Sequence, residues 1–249
     1  MPDNCAVSSR RFGGVARIYG EQALASFARA HVCVIGVGGV GSWAVEGLAR
    51  SGIGRLTLID ADHVAESNIN RQLPALESTL GQAKTAALAQ RIALINPDCR
   101  VVCVEEMVEP DTVQQLLPDD SDWVLDCIDH GRANVAIVQH CRRNKIPVIT
   151  SGGAGGRRDP NRIRVTDLSR SQQDPLLAKV RRLLRENYGY SRDPRRRFGI
   201  PCVWSEEPAK LPVEATALSC AGGIGSSIAV TASFGFAAVA YVLEKISAR

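Results

Sequence analysis

Five short runs of largely uninterrupted apolar residues punctuate the first 150 positions, at 31–35, 56–59, 101–104, 123–128 and 147–150. Continuous hydrophobicity over four to six residues marks a strand covered on both faces, whereas a half-exposed strand would alternate. Between the runs lie stretches whose apolar residues recur every three or four positions. In 42–51 these are Trp43, Val45, Leu48 and Ala49, and the same spacing predicts helices over 81–95, 112–117 and 132–144. Asn96-Pro97 stops the second of these. Strands alternating with helices make a doubly wound α/β fold with a largely parallel, Rossmann-like sheet.

After Ser151 the rhythm breaks. Gly152-Gly-Ala-Gly-Gly156 is a tight or flexible turn, 162–166 reads as a strand and 176–186 as a basic helix. Residues 188–212 mix Gly, Pro and Arg without period and read as a long mobile loop. Residues 226–245 form a strongly apolar helix, within a stretch uncharged from Glu214 to Glu244. That length would span a bilayer, but its many Gly and Ser residues favour a buried helix closing the sheet or a dimer interface over membrane association. The first 30 residues are of mixed polarity and lack a secretory signal.

Charge changes this picture more than composition does. The net charge is only +4, yet 142–197 carries 16 Lys/Arg against 5 Asp/Glu, leaving the remainder of the chain net acidic. So divided a charge suggests a polyanionic partner for the basic segment, the plain alternative being a solvated basic face. The eight cysteines form no CxxC pair, so no zinc ribbon or redox pair is indicated. They read as reduced thiols of a cytoplasmic protein.

The candidate chemistry follows the first strand. Gly36, Gly38, Gly39 and Gly41 form a loop between strand and helix. The first allows a tight turn, the next lets backbone approach a ligand, and the last brings helix and strand together. The helix N-terminus then offers N–H groups to an anion. Asp60 closes the second strand, where it can accept hydrogen bonds from a ribose. So far a dehydrogenase fits as well as an ATP enzyme. Arg71 and Lys84 separate the two, because cations beyond the ribose carboxylate suit a triphosphate whose charge builds as pyrophosphate departs. Asp129, after the fourth run, can hold Mg²⁺ against the phosphates. Taken singly, Arg71 could be a surface ion pair, Lys84 a solvated helix residue and Asp129 a helix cap.

The series GVGGVG, LIDAD, SNINRQ, GQAK, INP and DCID resembles the adenylating domain of the ubiquitin-activating superfamily, over roughly residues 11–150. The segments Ser151-Gly-Gly-Ala-Gly-Gly, Val165-Thr-Asp-Leu, Gln173-Asp-Pro-Leu, Cys202-Val-Trp-Ser-Glu and Thr231-Ala-Ser-Phe-Gly-Phe resemble its tRNA threonylcarbamoyladenosine dehydratase subgroup. The resemblance implies ATP-dependent cyclisation of that nucleoside through an acyl-adenylate, with ATP and Mg²⁺ required. It implies an adenylation core at 1–150 and a basic tRNA-facing segment at 151–249 in the same fold unit. Carried over by position, Asp60 is the ribose ligand, Asn68, Arg71 and Lys84 are phosphate contacts, and Asp129 holds the metal. The family's usual Asn after that aspartate is His130 here. Arg17 resembles an arginine that reaches a partner subunit's nucleotide, so a homodimer is expected, and a sulfur-transfer partner is conceivable.

The basic segment favours tRNA over DNA or a small carrier protein. It is led by Arg157, Arg158, Arg181, Arg182, Arg185 and Arg195 to Arg197. The runner-up activity is adenylation of a ubiquitin-like sulfur carrier's C-terminus. A dehydrogenase or a non-catalytic nucleotide-binding adaptor is a third reading. Cys202, in the expected loop beside three arginines, could act as a thiolate acyl acceptor. An intramolecular cyclisation, whose nucleophile is already in the substrate, gives it no required covalent role.

Overall fold

The computed structural model of the chain describes residues 4–210 and 224–248. Seven strands form one sheet: β1 (His31–Ile35), β2 (Arg55–Ile59), β3 (Arg100–Val104), β4 (Trp123–Asp126), β5 (Val148–Ser151), β6 (Ile163–Asp167) and β7 (Pro201–Ser205). Their order is β3-β2-β1-β4-β5-β7-β6, all parallel except β6, which runs antiparallel to β7 at the edge. Strand order reverses between β1 and β4, so a crevice opens at their C-terminal ends, the place where open α/β sheets bind ligands.

The helices are α1 (Asn4–Tyr19), α2 (Glu21–Arg29), α3 (Gly41–Arg50), α4 (Lys84–Ile95), α5 (Val113–Leu116), α6 (Gly131–Arg143), α7 (Pro175–Tyr188) and α8 (Ile228–Ser247). Val32, Val34, Leu56, Leu58 and Leu125 pack toward α2, α3, α4 and α8. Their neighbours Cys33, Ile35 and Val124 pack toward α5 and α6 on the other face. Both faces are covered at β1, β2, β4 and β5, which is why these strands read as continuous apolar runs. β3, whose run reads the same way, lies at the sheet edge only partly buried, with Cys103 exposed.

Three segments differ from the sequence reading. The expected loop at 188–212 contains β7, hydrogen-bonded between β5 and β6 with Cys202 and Val203 fully buried; positions 211 and 212 lie outside the described residues. The first 30 residues form α1 and α2, with Ala23, Leu24 and Phe27 buried on one side of α2. The apolar C-terminal helix starts at Ile228 rather than 226 and runs to Ser247. By length and composition it could cross a membrane. Here Val230, Phe234 and Val242 are fully buried in the main core. A Cβ on Gly235 would lie 2.6 Å from the Val40 carbonyl, so glycine lets α8 sit against the start of α3.

Beneath the crevice, the fully buried Asp126 ends β4. It accepts hydrogen bonds at 2.9 Å from Asn134 Nδ2 on α6 and from Thr150 Oγ1 on β5. Asn134 also donates to the Ile128 carbonyl, tying down the turn between β4 and α6. Burial pushes the Asp126 carboxyl up to about 6 from its ordinary 3.8, against the pull of these donors. A raised folded value contributes stability that is complete below the unfolded value and is lost as pH rises through the folded one. Between about pH 4 and 6.5 the chain should lose roughly 3 kcal/mol from this group. Urea unfolding of Asp126→Asn across that range should show a correspondingly flatter profile; parallel profiles for the two proteins would place the titrating group elsewhere.

Candidate functional site

The glycine loop follows β1 because its backbone must turn sharply inside packed structure. Gly36 has a φ of 78° and donates its N–H to the Ile59 carbonyl. A Cβ on Gly41 would collide with the Gly36 carbonyl oxygen. Both are therefore confined to glycine, and the first turn of α3 faces the crevice.

Asp60, just past β2, folds back over the loop. Its Oδ2 accepts from Val37 N–H at 2.7 Å and its Oδ1 from Asp62 N–H at 2.8 Å. Burial lifts its carboxyl above the ordinary range, while nearby Lys84 and these two N–H groups oppose the shift. Lys84, the first residue of α4, is buried, and its Nζ donates to Asp62 Oδ2 at 2.7 Å. The Arg71 guanidinium is pinned by the Ser67 carbonyl at 2.7 Å and Asn70 Oδ1 at 2.8 Å. Its own carbonyl accepts from Trp43 Nε1 at 2.9 Å. Buried Asn68 accepts from Ala65 N–H and so shapes the turn preceding Arg71. Asp129 and His130 are exposed at the opposite lip, after β4.

One cleft of about 820 Å³ is lined by Gly36, Gly38, Gly39, Asp60, Asn68, Arg71, Lys84 and Asp129 together. That is the size of a nucleotide-scale site, roughly 300–1,000 Å³. Gly41 supports it from behind. Arg17 lies outside it, exposed on α1. Gln72, quoted within its motif but given no role, also lines the cleft: it is buried, and its Oε1 has no hydrogen-bond partner among the described residues. Its only signal in the sequence was its place directly after Arg71.

The far wall was not foreseen. Gly152 to Gly155, Asp174 and Arg157 form it. Arg157, expected on an RNA-facing surface, is 3% exposed. Its Nη2 donates to the Gln173 carbonyl at 2.8 Å and its Nε to the Glu207 carbonyl at 2.9 Å, and it pairs with buried Asp174 at 3.5 Å. It therefore joins three segments of backbone. Burial works against both charges of the pair, and their mutual attraction opposes that.

Cys202 is likewise corrected. It lies within β7, fully buried, rather than on a loop, and burial pushes its thiol up to about 12. The cation that opposes this shift is Arg181 rather than the run at 195–197. A thiol in that state is a poor nucleophile. Cys202→Ala should keep turnover within about twofold while costing roughly 1 kcal/mol of stability. Abolished turnover with adenylation intact would restore a covalent role.

Comparison with known proteins adds a context to this geometry. Residues 9–239 match the model of the ThiF family. The chain is 47% identical over 243 residues to the tRNA threonylcarbamoyladenosine dehydratase of Haemophilus influenzae, covering 95% of this chain and 93% of that one. To the Escherichia coli protein of the same description it is 48% identical over 253 residues, covering 96% and 94%. The crystal structure of the E. coli dehydratase in complex with ATP superposes with a TM-score of 0.89 over 96% of this chain and 95% of that one.

Proposed function

The chain belongs to the ThiF family, and from its 47–48% identity to dehydratases over nearly its whole length we infer that it is an ATP-dependent dehydratase of threonylcarbamoyladenosine in tRNA. The observation that carries the reading is one cleft that brings together the glycine loop, the Asp60 carboxylate and the cations Arg71 and Lys84, in a chain 48% identical to a dehydratase whose structure holds ATP.

The reaction begins when the threonyl carboxylate attacks the α-phosphorus of ATP and pyrophosphate leaves. The adjoining carbamoyl group then attacks the acyl-adenylate, closes a five-membered ring and expels AMP; the net change in the nucleoside is loss of one water. Ring closure is intramolecular and gains heavily from proximity, so the protein's main work is activation. In this reading Asp60 accepts from the ribose, and Gly36, Gly38, Gly39 and Gly41 leave room for the phosphates at the N-terminus of α3. Arg71 and Lys84 neutralise charge on the departing pyrophosphate, and Asn68, a neutral amide, donates a hydrogen bond to it. Asp129 fits Mg²⁺, which binds through one or two carboxylates plus phosphate oxygens rather than through a protein cage. When bound, the ion would neutralise phosphate charge.

Residues 1–150 serve as the adenylation core, and in 151–249, part of the same unit, the exposed cations face the RNA while Gly152 to Gly155, Arg157 and Asp174 complete the cleft. A homodimer would let Arg17 reach a partner's nucleotide, and a sulfur-transfer protein remains a candidate partner. Burial of one face of α8 supports a soluble enzyme, and its free cysteines fit the cytoplasm. Nucleoside mass spectrometry of threonylcarbamoyladenosine-bearing tRNA after incubation with ATP and Mg²⁺ tests the reading. A product lighter by one water, with AMP and pyrophosphate in equal amounts, is expected; an unchanged nucleoside overturns it.

A further inference from the structure

A tRNA substrate raises a question that the ATP site does not answer: where the strand on either side of the reacting nucleotide lies. The N-terminal half of α7 borders the cleft, with Pro175 and Leu176 on the cleft wall. Beyond it lies a second, more open recess of about 410 Å³ lined by Gln173, Ala178, Arg181 and Pro208. The recess also shares Asp174, Pro175 and Ala209 with the main cleft, so the two are separated only by the first turns of α7.

Two cations flank this ridge. Residues two apart on a helix project roughly 200° from one another, so Lys179 and Arg181 stand on opposite sides of it. On the cleft side, the Lys179 stem packs where a Cβ on Gly131 would lie, 3.0 Å from that position, next to the lip formed by Asp129 and His130. The residue is exposed and forms no ion pair among the described residues. On the far side, Arg181 lines the recess, half-buried and steadied by a hydrogen bond from its Nη1 to Ser171 Oγ. The carboxylates nearby are already engaged. Asp174 pairs with Arg157, caps α7 through Leu177 N–H and accepts from Gly153 N–H, and Glu186 pairs with Arg182. The turn feeding the ridge is held in place as well: Gln173 has a φ of 52° while its carbonyl receives Arg157. An arrangement with a left-handed non-glycine residue fixed beside a ligand cleft belongs with functional sites more than with plain surface.

Resting on the dehydratase reading, we propose that the RNA strand crosses the N-terminal half of α7, with Lys179 and Arg181 each holding one of the two phosphodiesters that flank the reacting nucleotide. The threonylcarbamoyl nucleoside then enters the main cleft beside Gly152 to Gly155, while the strand continues into the recess. Only a nucleotide within a chain has both phosphodiesters, so these two contacts separate RNA substrate from free nucleoside. They are distinct in role from the exposed cations at 195–197, where Arg195 is tied to Asp193.

Steady-state dehydration of threonylcarbamoyladenosine-bearing tRNA by Lys179→Ala, Arg181→Ala and the double variant, at several salt concentrations, tests this. Each single variant should raise KM for the tRNA several-fold and the double variant about tenfold or more, with kcat and KM for ATP within twofold. The salt slope of log KM should fall by about 0.7 per contact removed, the single-strand value per phosphate. Arg181→Lys should recover most of the loss. Arg29→Ala, on exposed α2 across the sheet, should change nothing. Unchanged KM in the double variant, or an equal effect from Arg29→Ala, overturns the inference while leaving the dehydratase reading intact. A wild-type chain that removes no water from this tRNA overturns both.

Discussion

Arg71→Ala should lower kcat for dehydration by about 10²–10³-fold, the cost of deleting one preorganised group that stabilises developing charge. Its guanidinium is held by the Ser67 carbonyl and Asn70 Oδ1. The backbone behind it is fixed by Trp43 Nε1. Little reorganisation is therefore needed when negative charge gathers on the leaving pyrophosphate, and an arginine so placed acts on the transition state more than on binding. Pyrophosphate release with threonylcarbamoyladenosine-bearing tRNA is the measurement, with KM for tRNA expected to stay within about threefold. Lysine at the same position should recover part of the rate, since it supplies the charge without the planar fork. A variant that kept full kcat and lost only tRNA affinity would move Arg71 from the phosphate end to the RNA surface.

Gly41→Ala should be severely damaging although it adds only one methyl group. The new Cβ would meet the Gly36 carbonyl, a backbone atom with no rotamer to escape into, and would press on the Cys127 side chain at 3.3 Å. Overpacking of this kind costs about 3 kcal/mol, which for a chain of this length lowers Tm by roughly 6–12 °C. The distinctive result is functional. Relieving the clash moves the loop away from α3, so the rise in Tm that ATP gives the wild type should vanish in the variant. A normal ATP-dependent shift in a merely destabilised variant would show that the loop tolerates the displacement.

The nucleotide half of the molecule was legible in the sequence because its signals are local. The 31–35 run coincides with β1, and Gly36 to Gly41, Asp60, Arg71 and Lys84 follow it in chain order into one cleft. The remainder depended on contacts between distant segments. Pro201 to Ser205 is short and bounded by Gly, Pro and Arg, and only β5 and β6 on either side make it a buried strand. Arg157 counts as a surface cation in any charge sum; its burial comes from Gln173, Asp174 and Glu207. Helix α1 was hidden by Gly13 and Gly14, which weaken helix propensity where Phe12 and Ala16 are nonetheless buried.

The packing of α8 against the glycine loop also bears on how the protein is made. Thr231 touches the position a Gly39 Cβ would take at 3.4 Å, and Gly235 lies against Val40. The loop near residue 40 therefore gains one of its walls from a helix that begins only at Ile228. During synthesis the early strands can pair while this wall is still missing, and contacts so distant in sequence form late. A nascent chain halted before residue 228 has the complete glycine motif but lacks its final support. Nucleotide loading should thus wait for α8, and a chain cut before Ile228 should bind ATP more weakly than one that includes the helix.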